Sequence, residues 1–151
     1  MNFRQLQESD IAYMAEHGIR EDGHKVRIDN TEYNYTLEHD GAILGIAGFR
    51  FITDTTAWCW LQMGEEAMKH LTISFRTLSE WIGGYTGING ERVPGFCETN
   101  GIRRLEAYVE VGFEAGIRLV EHLDFHEESR MLNFIDDKPA IRFVRFFKEK
   151  T

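Results

Sequence analysis

A short run of alternating apolar and polar residues stands in the first third of the chain. They alternate from Tyr33 to Leu37, which is the period of a β-strand. The Asp40-Gly41 pair that follows favours a type I′ hairpin turn. We therefore predict that Tyr35 to His39 and Ala42 to Ile52 pair as antiparallel strands. Gly45 and Gly48, inside the second strand, predict a bulge or a close approach of two backbones.

The elements on either side of this hairpin are shorter. Asn2 to Gln5 is predicted as a strand, and a helix follows with Ser9 or Asp10 as its N-cap. A weaker helical or irregular stretch extends from His24 to Thr31. Ala57 to Met63 carries apolar residues on both faces, which indicates a strand covered on both sides.

The period changes to that of a helix at Glu65. Apolar residues then recur at spacings of three and four, and predict one long helix with a buried stripe. The stripe consists of Met68, Leu71, Phe75, Leu78 and Ile82. The segment Gly83 to Gly101 contains too many glycines for a helix or strand interior, so it is predicted as an insertion loop.

The last third repeats strand and helix patterns. Ile102 to Val111 is predicted as a strand, and Phe113 to Leu123 as an amphipathic helix. His126 to Ile135 and Ala140 to Phe147 follow as strands joined at Asp136-Asp137. The order of elements predicts an α/β layered structure with a mixed sheet, in a single domain spanning residues 1–151.

Charge narrows the classes of partner. The chain has 17 Lys and Arg against 25 Asp and Glu, a net charge of −8, and most of that charge lies in residues 1–100. This balance opposes binding to nucleic acid or to an anionic membrane, and suits a cationic ligand. Cys59 and Cys97 form no metal-binding or disulfide pattern, and the N-terminal residues resemble no signal peptide. We therefore expect a cytoplasmic protein.

Three groups of motifs resemble the GNAT superfamily of acyl-CoA-dependent N-acetyltransferases. Phe3 to Ile11 is similar to the family's first strand and Asp-initiated helix, and Glu38 to Gly48 to its D-G-x-x-x-G strand pair. Arg103 to Ala107, Ala115 to Leu119 and Leu123 to Glu128 resemble its later strand, helix and L-G-F-x-x-E segment, with an Asp in place of the glycine. The resemblance implies a mostly antiparallel, twisted sheet of six to seven strands with helices on both faces.

Within the superfamily, three segments look most like the GNAT-like proteins of tailed phages. They are Ala57 to Trp60, Tyr108-Val109 and His126 to Glu128. Some phage proteins of this kind are acetyltransferases, whereas others act in the virion or in assembly. If the chain is encoded by a phage, its compartment is the host cytoplasm.

The resemblance also implies a site for acetyl-CoA, between the strand at Trp58 and the strand at Ile102. In the family, backbone groups of the first strand pair with the pantetheine arm, and the N-terminus of the next helix receives the pyrophosphate. The residues at these places are Leu61, Met63, Gly64, Lys69 and His70.

Two features oppose this cofactor. Met68, Leu71 and Ile73 stand where the family has a basic residue or Gln and two glycines. Glu65 and Glu66 add two carboxylates to the first turn of the predicted helix. There they stabilise the helix and would compete with a pyrophosphate.

Catalysis needs a proton acceptor for the amine and a proton donor for the leaving thiolate. The family's donor Tyr and its usual Asn correspond to Val120 and Phe113, which have no polar side-chain atoms. Tyr108 or Tyr85 could replace the donor, although most tyrosines of this kind are half-buried packing residues.

The candidate bases are Glu110, Glu65 and His70. His122 and His126 are separated by a predicted strand start and do not indicate a metal site. The basic residues near the C-terminus are typical of a solvated strand end; they are Arg142, Arg145, Lys148 and Lys150.

Two hypotheses follow. In the first, the protein transfers an acetyl group from acetyl-CoA directly to the amine of a small molecule or protein. In the second, it is a GNAT-fold phage protein without catalysis that acts in virion assembly or binds a host protein, with Gly83 to Gly101 as the partner surface. A homodimer is compatible with both.

Overall fold

Nine strands and five helices follow one another in the computed structural model, which describes residues 2–19, 33–135 and 137–148. The predicted stretch from His24 to Thr31 and residue Asp136 of the last turn lie outside the described residues. The elements are β1 Asn2–Gln5, α1 Glu8–His17, β2 Tyr33–His39, β3 Ala42–Phe51, β4 Thr56–Met63, α2 Glu65–Met68, α3 Leu71–Gly83, β5 Tyr85–Thr86, β6 Arg92–Val93, α4 Phe96–Thr99, β7 Arg104–Glu110, α5 Glu114–His122, β8 His126–Ile135 and β9 Lys138–Phe146.

Seven of these strands form one sheet, in the order β1-β2-β3-β4-β7-β9-β8. The pairs β1–β2, β2–β3, β7–β9 and β8–β9 are antiparallel, whereas β4 and β7 are parallel. The predicted mixed, mostly antiparallel sheet is therefore confirmed. No helix within the described residues is long and apolar enough to cross a membrane.

By its internal contacts the chain divides into two units. The first unit is Met1–Arg50 with Cys59–Ser74, and the second is Phe51–Trp58 with Phe75–Thr151. The strands β3 and β4 and the helix α3 each contribute residues to both. The single domain expected for residues 1–151 stays a prediction.

In the first unit, the hairpin of β2 and β3 follows the sequence pattern. Asp40 and Gly41 both have positive φ, 48° and 79°, as a type I′ turn requires. Gly45 marks a close approach of two backbones, since a Cβ there would lie 2.7 Å from the carbonyl oxygen of Gln62. The register of β2 and β3 shifts between Leu37 and Glu38.

The start of α1 differs from the prediction. The N-cap is Gln7, so the expected cap at Ser9 or Asp10 is wrong. Asp10 instead occupies the third helical position, where its carboxylate accepts the N–H of Gln7 at 2.8 Å. The same carboxylate is paired with Arg4.

In the second unit, β7 pairs with β9 along its whole length, from Arg104 opposite Phe146 to Glu110 opposite Ala140. Its alternate residues Leu105, Ala107 and Val109 are buried. The parallel pairing of β4 with β7 comprises three residue pairs, from Thr56–Arg104 to Trp58–Glu106. The predicted amphipathic helix near residues 113–123 is confirmed as α5.

The segment Gly83 to Gly101 has more structure than the predicted loop. It contains the hairpin of β5 and β6 and the short helix α4, whose Phe96 stacks on Trp81 with ring centroids 5.1 Å apart. Its glycines permit close backbone packing. A Cβ at Gly95 would lie 2.3 Å from the backbone nitrogen of Gly84, whose φ is +76°. Glycine density therefore marks a compact turn here.

Candidate functional site

The end of β4 is held by backbone hydrogen bonds within the first unit. The N–H of Gly64 donates to the carbonyl of Leu44 at 2.7 Å. The carbonyl of Met63 accepts the N–H of Ile19 at 2.8 Å. Because neighbouring residues of a strand direct their backbone groups to opposite edges, the N–H groups of Leu61 and Met63 point away from Leu44. These two predicted binding residues thus direct their backbone groups to the other edge of β4, where Ile19 bonds to Met63.

The helix predicted from Glu65 onward is broken at Lys69 and His70. The N–H groups of these two residues donate to carbonyls three residues earlier, at 3.2 and 3.1 Å, whereas an α-helix bonds four residues back. The helix α2 therefore ends, and α3 begins at Leu71. The prediction of one long helix from Glu65 is wrong, although Glu65 and Glu66 do lie in the first turn of the short helix α2.

The break removes acidic side chains from the start of α3. Glu65 lies 3.4 Å from Nδ1 of His17, and Glu66 lies 3.0 Å from the ammonium of Lys69. The first turn of α3 contains no acidic residue. The first N–H groups of a helix have no carbonyl partner inside it and attract anions. The start of α3 therefore fits a phosphate group.

The same break changes the surface of the helix. Met68 and Leu71, predicted in the buried stripe, are exposed, as is Ile73. Leu78 and Ile82 are buried as predicted. Met68 belongs to α2, so the break separates it from the rest of the stripe, whereas Leu71 keeps the phase of the stripe but is the exposed first residue of α3.

Lys69 and His70 stand just before α3. The hydrogen bond with Glu66 raises the pKa of Lys69, so its ammonium is charged at neutral pH. The His70 ring meets the edge of His39 with centroids 5.1 Å apart. Nδ1 of His39 is buried and has no hydrogen-bond partner among the described residues.

The second unit places Tyr108 in an aromatic group. Its ring centroid lies 6.4 Å from that of Trp58 on β4 and 4.9 Å from that of Phe134 on β8. Burial raises the pKa of Tyr108, and the charge of Glu106 adds to the effect. The phenol is therefore protonated at neutral pH and available as a proton donor.

The two candidate carboxylate bases have different surroundings. The side chain of Glu110, at the end of β7, is 15% exposed, and its Oε1 lies 3.4 Å from the ammonium of Lys138. The side chain of Glu65 is 65% exposed and beside His17. Glu110 is therefore the more enclosed of the two carboxylates.

An ionic network covers the face of β7 that carries Tyr108 and Glu110. Arg104 donates to Glu106 at 3.0 Å and makes two hydrogen bonds to Glu128. Arg142 has longer contacts, 3.9 Å to Glu106 and 3.6 Å to Glu128. Tyr108 stands directly opposite Arg142 in the pairing of β7 with β9.

Solved structures resemble the whole chain. The ribosomal-protein-S18-alanine N-acetyltransferase from Escherichia coli matches with a TM-score of 0.66 and 15% identity, over 99% of this chain and 96% of that one. The yncA protein from Salmonella typhimurium, solved with its cofactor acetyl-CoA, matches with a TM-score of 0.62 and 18% identity, over 100% and 96%. The chain has the GNAT fold. No protein-family model and no curated protein matches the sequence.

A third similar GNAT structure is the spermidine/spermine N-acetyltransferase SpeG from Vibrio cholerae. Its TM-score is 0.60 and its identity 14%, over 96% of this chain and 93% of that one. At such identities the similarity shows the shared fold alone.

The site residues predicted from the GNAT resemblance divide between the two units. Leu61, Met63, Gly64, Glu65, Lys69 and His70 lie in the first unit, and Tyr108 and Glu110 in the second. Val120, at the position of the family's donor Tyr, is buried in α5, and Phe113 is the N-cap of that helix. No group of three or more His, Cys, Asp or Glu residues in the described chain is arranged to hold a metal ion.

Sequence reasoning missed two neighbours of Tyr108. Arg142 was assigned to a solvated strand end, and Phe134 was given no role. The strand β8 leaves the register of β9 between Met131 and Ile135, and Asn133 has a φ of 50°. Such an irregularity redirects side chains, and no local sequence signal shows where Phe134 points.

Proposed function

We propose that this protein is an N-acetyltransferase that uses acetyl-CoA as cosubstrate and acetylates an amine directly. The amine nitrogen attacks the thioester carbonyl carbon, a C–N bond forms and the C–S bond breaks. The nitrogen loses a proton, and the CoA thiolate gains one. The GNAT fold supports the class of reaction, and the choice of acceptor, a small molecule or a protein, stays open.

The observation that carries this proposal is the acid-free N-terminus of α3. On sequence alone, Glu65 and Glu66 opposed a pyrophosphate at this position. With α2 separated from α3, both carboxylates lie outside the first turn of α3, Glu65 beside His17 and Glu66 beside the ammonium of Lys69. The pyrophosphate of acetyl-CoA fits the free N–H groups there, with Lys69 and His70 adjacent.

The strand β4 supplies the second part of the binding site in this proposal. The N–H groups of Leu61 and Met63 are suited to the amide oxygens of the pantetheine arm, and Gly64 forms the turn into α2. An N–H near Met63 also suits the thioester oxygen, which gains negative charge as the amine attacks.

Two residues of the second unit carry the proton transfers. Tyr108 donates its phenolic proton to the leaving thiolate, a role consistent with its raised pKa. Glu110 accepts the proton that the amine releases. Glu65 is the weaker candidate because it is largely solvated.

Calorimetric titration of the protein with acetyl-CoA, followed by a thiol-release assay with a panel of amines, tests the proposal. We expect binding in the micromolar range or tighter, and CoA release that depends on one class of amine. Absence of heat with acetyl-CoA and with CoA at millimolar ligand would contradict it. Heat-unfolded protein is the control for non-enzymatic transfer of the acetyl group to the amine.

A second candidate function is supported by the hairpin of β5 and β6. Ile88 at its tip is fully exposed, and Tyr85 at its base is exposed as well. An exposed segment that connects two elements can carry a contact surface. In this alternative the chain is a non-catalytic phage protein of virion assembly or host binding. Acetyl transfer that survives an Ile88→Ser change, with no partner recovered by the original protein, would count against it.

A further inference from the structure

Arg142 is held differently from its neighbour Arg104. Arg104 makes three hydrogen bonds to the carboxylates of Glu106 and Glu128. The nearest contacts of Arg142 to those carboxylates are 3.9 and 3.6 Å, and its Nε is buried without a hydrogen-bond partner among the described residues. Arg104 therefore makes the short hydrogen bonds to both carboxylates. The position of Arg142 needs another explanation.

The position of Arg142 over Tyr108 supplies one. The two residues are directly opposite on β7 and β9, so their side chains share a face of the sheet. The guanidinium carbon of Arg142 lies 6.0 Å from the centroid of the Tyr108 ring. The side chain is anchored from the other side by Met131, whose sulfur is 3.6 Å from a terminal nitrogen of Arg142.

Other charged groups near Tyr108 are mostly compensated. On β7, Glu106 is bonded to Arg104 and Glu110 lies beside Lys138 of β9. On β8, Glu128 is bonded to Arg104. The remaining neighbours, Trp58 on β4 and Phe134 on β8, are uncharged. Arg142 is thus the cation placed to act on the phenol itself.

We infer that Arg142 is a positioning residue that fixes the Tyr108 phenol and stabilises the phenolate formed when Tyr108 gives its proton to the leaving thiolate. This inference rests on the proposed function. Burial and Glu106 raise the pKa of Tyr108, and Arg142 opposes them. Without that opposition the phenol would be a weaker acid, and the thiolate would receive its proton more slowly. The tyrosinate is then reprotonated by solvent.

The test compares Arg142→Met and Arg142→Lys with the original protein by two measurements. The first is a ¹⁹F NMR titration of protein containing 3-fluorotyrosine, with the Tyr108 signal among the five tyrosines assigned by Tyr108→Phe. We expect Arg142→Met to raise the Tyr108 midpoint by about one pH unit, as loss of a nearby opposite charge predicts. Arg142→Lys should restore most of the change.

The second measurement is the pH profile of acetyl transfer. We expect Arg142→Met to lower kcat about tenfold at unchanged KM for acetyl-CoA, with partial recovery in Arg142→Lys. Arg130→Met is the matched control, because Arg130 pairs with Glu127 and stands opposite Ile141, on the other face of the sheet. It should change neither the midpoint nor kcat. Thermal unfolding of each variant identifies any general loss of structure.

The outcomes separate the two proposals. An unchanged Tyr108 midpoint in folded Arg142→Met overturns the role of Arg142, and so does a shifted midpoint with unchanged kcat. If the original protein binds no acetyl-CoA and transfers no acetyl group, the proposed function fails and this role fails with it. A shifted midpoint together with a reduced kcat, both recovered by Lys, supports the inference.

Discussion

The guanidinium of Arg4 donates two hydrogen bonds of 2.8 Å to the carboxylate of Asp10. The side chain of Asp10 is 2% exposed, and it also accepts the N–H of Gln7 and the hydroxyl of Thr36 at 2.8 Å each. Four donors therefore converge on one buried carboxylate, and they join the first strand, the first helix and β2 of the first unit.

This arrangement makes the stability of the protein depend on acid pH. The hydrogen bonds from Arg4 hold the pKa of Asp10 below its ordinary value of 3.8. As pH falls, the unfolded chain binds this proton first, so the stabilisation is complete above about pH 5 and is lost as pH falls through the folded pKa. Urea unfolding at a series of pH values should show it.

Asp10→Ala should lower the free energy of unfolding by about 2–3 kcal/mol, since several hydrogen bonds to a buried charge are lost. It should also flatten the acid side of the pH profile. Glu38→Ala is the control, because Glu38 shares Arg4 but is more exposed, and it should cost much less. Equal losses in the two variants would contradict the central role of Asp10.

The acid-free start of α3 gives a prediction in which stability and binding move in opposite directions. Thr72→Glu places a carboxylate on an exposed residue of that first turn, where it favours the helix and repels a pyrophosphate. We expect acetyl-CoA affinity to fall about two- to fivefold while thermal stability is unchanged or higher.

Thr72→Gln is the neutral control for this change and should leave the affinity close to that of the original protein. Calorimetry at low salt measures both variants, and added salt should reduce the difference. Equal affinities at low salt would indicate that acetyl-CoA does not use the N-terminus of α3.

The two carboxylates proposed for proton acceptance can be ranked. Glu110→Gln should lower kcat about a hundredfold near neutral pH, because it removes a positioned base. Glu65→Gln should change kcat less than about twofold, since water can replace an exposed carboxylate. Steady-state rates with the best amine of the panel measure both, and a larger effect at Glu65 would reverse the assignment.

Cys97 provides a probe of the second unit. Burial raises the pKa of its thiol to about 12, from an ordinary value of 9.0. The unfolded chain thus ionises first, and this thiol's contribution to stability is lost as pH rises above about 9. At about pH 8, alkylating reagents should modify Cys97 only after unfolding. Mass spectrometry of native and unfolded protein checks this, and rapid native labelling of Cys97 would show that α4 opens.

Local patterns were sufficient for much of the fold. Asp40-Gly41 placed the hairpin turn, because few residue pairs adopt positive φ at two successive positions. Gly45 indicated the close approach to Gln62, since only glycine fits there. The turn depends on residues that are adjacent in sequence, and the close approach depends on the absence of a side chain. Both can be predicted from the sequence.

The candidate site was predictable only in part. The sequence by itself determined which residues carry polar chemistry, among them Lys69, Tyr108 and Glu110, and the alternation that puts Tyr108 and Glu106 on one face of β7. Tertiary structure decided that the helix restarts at Leu71, which leaves Glu65 outside the first turn of α3. It also decided that Arg142 lies over Tyr108. Strand register and helix breaks are set by packing between segments distant in sequence, and no local pattern encodes that balance.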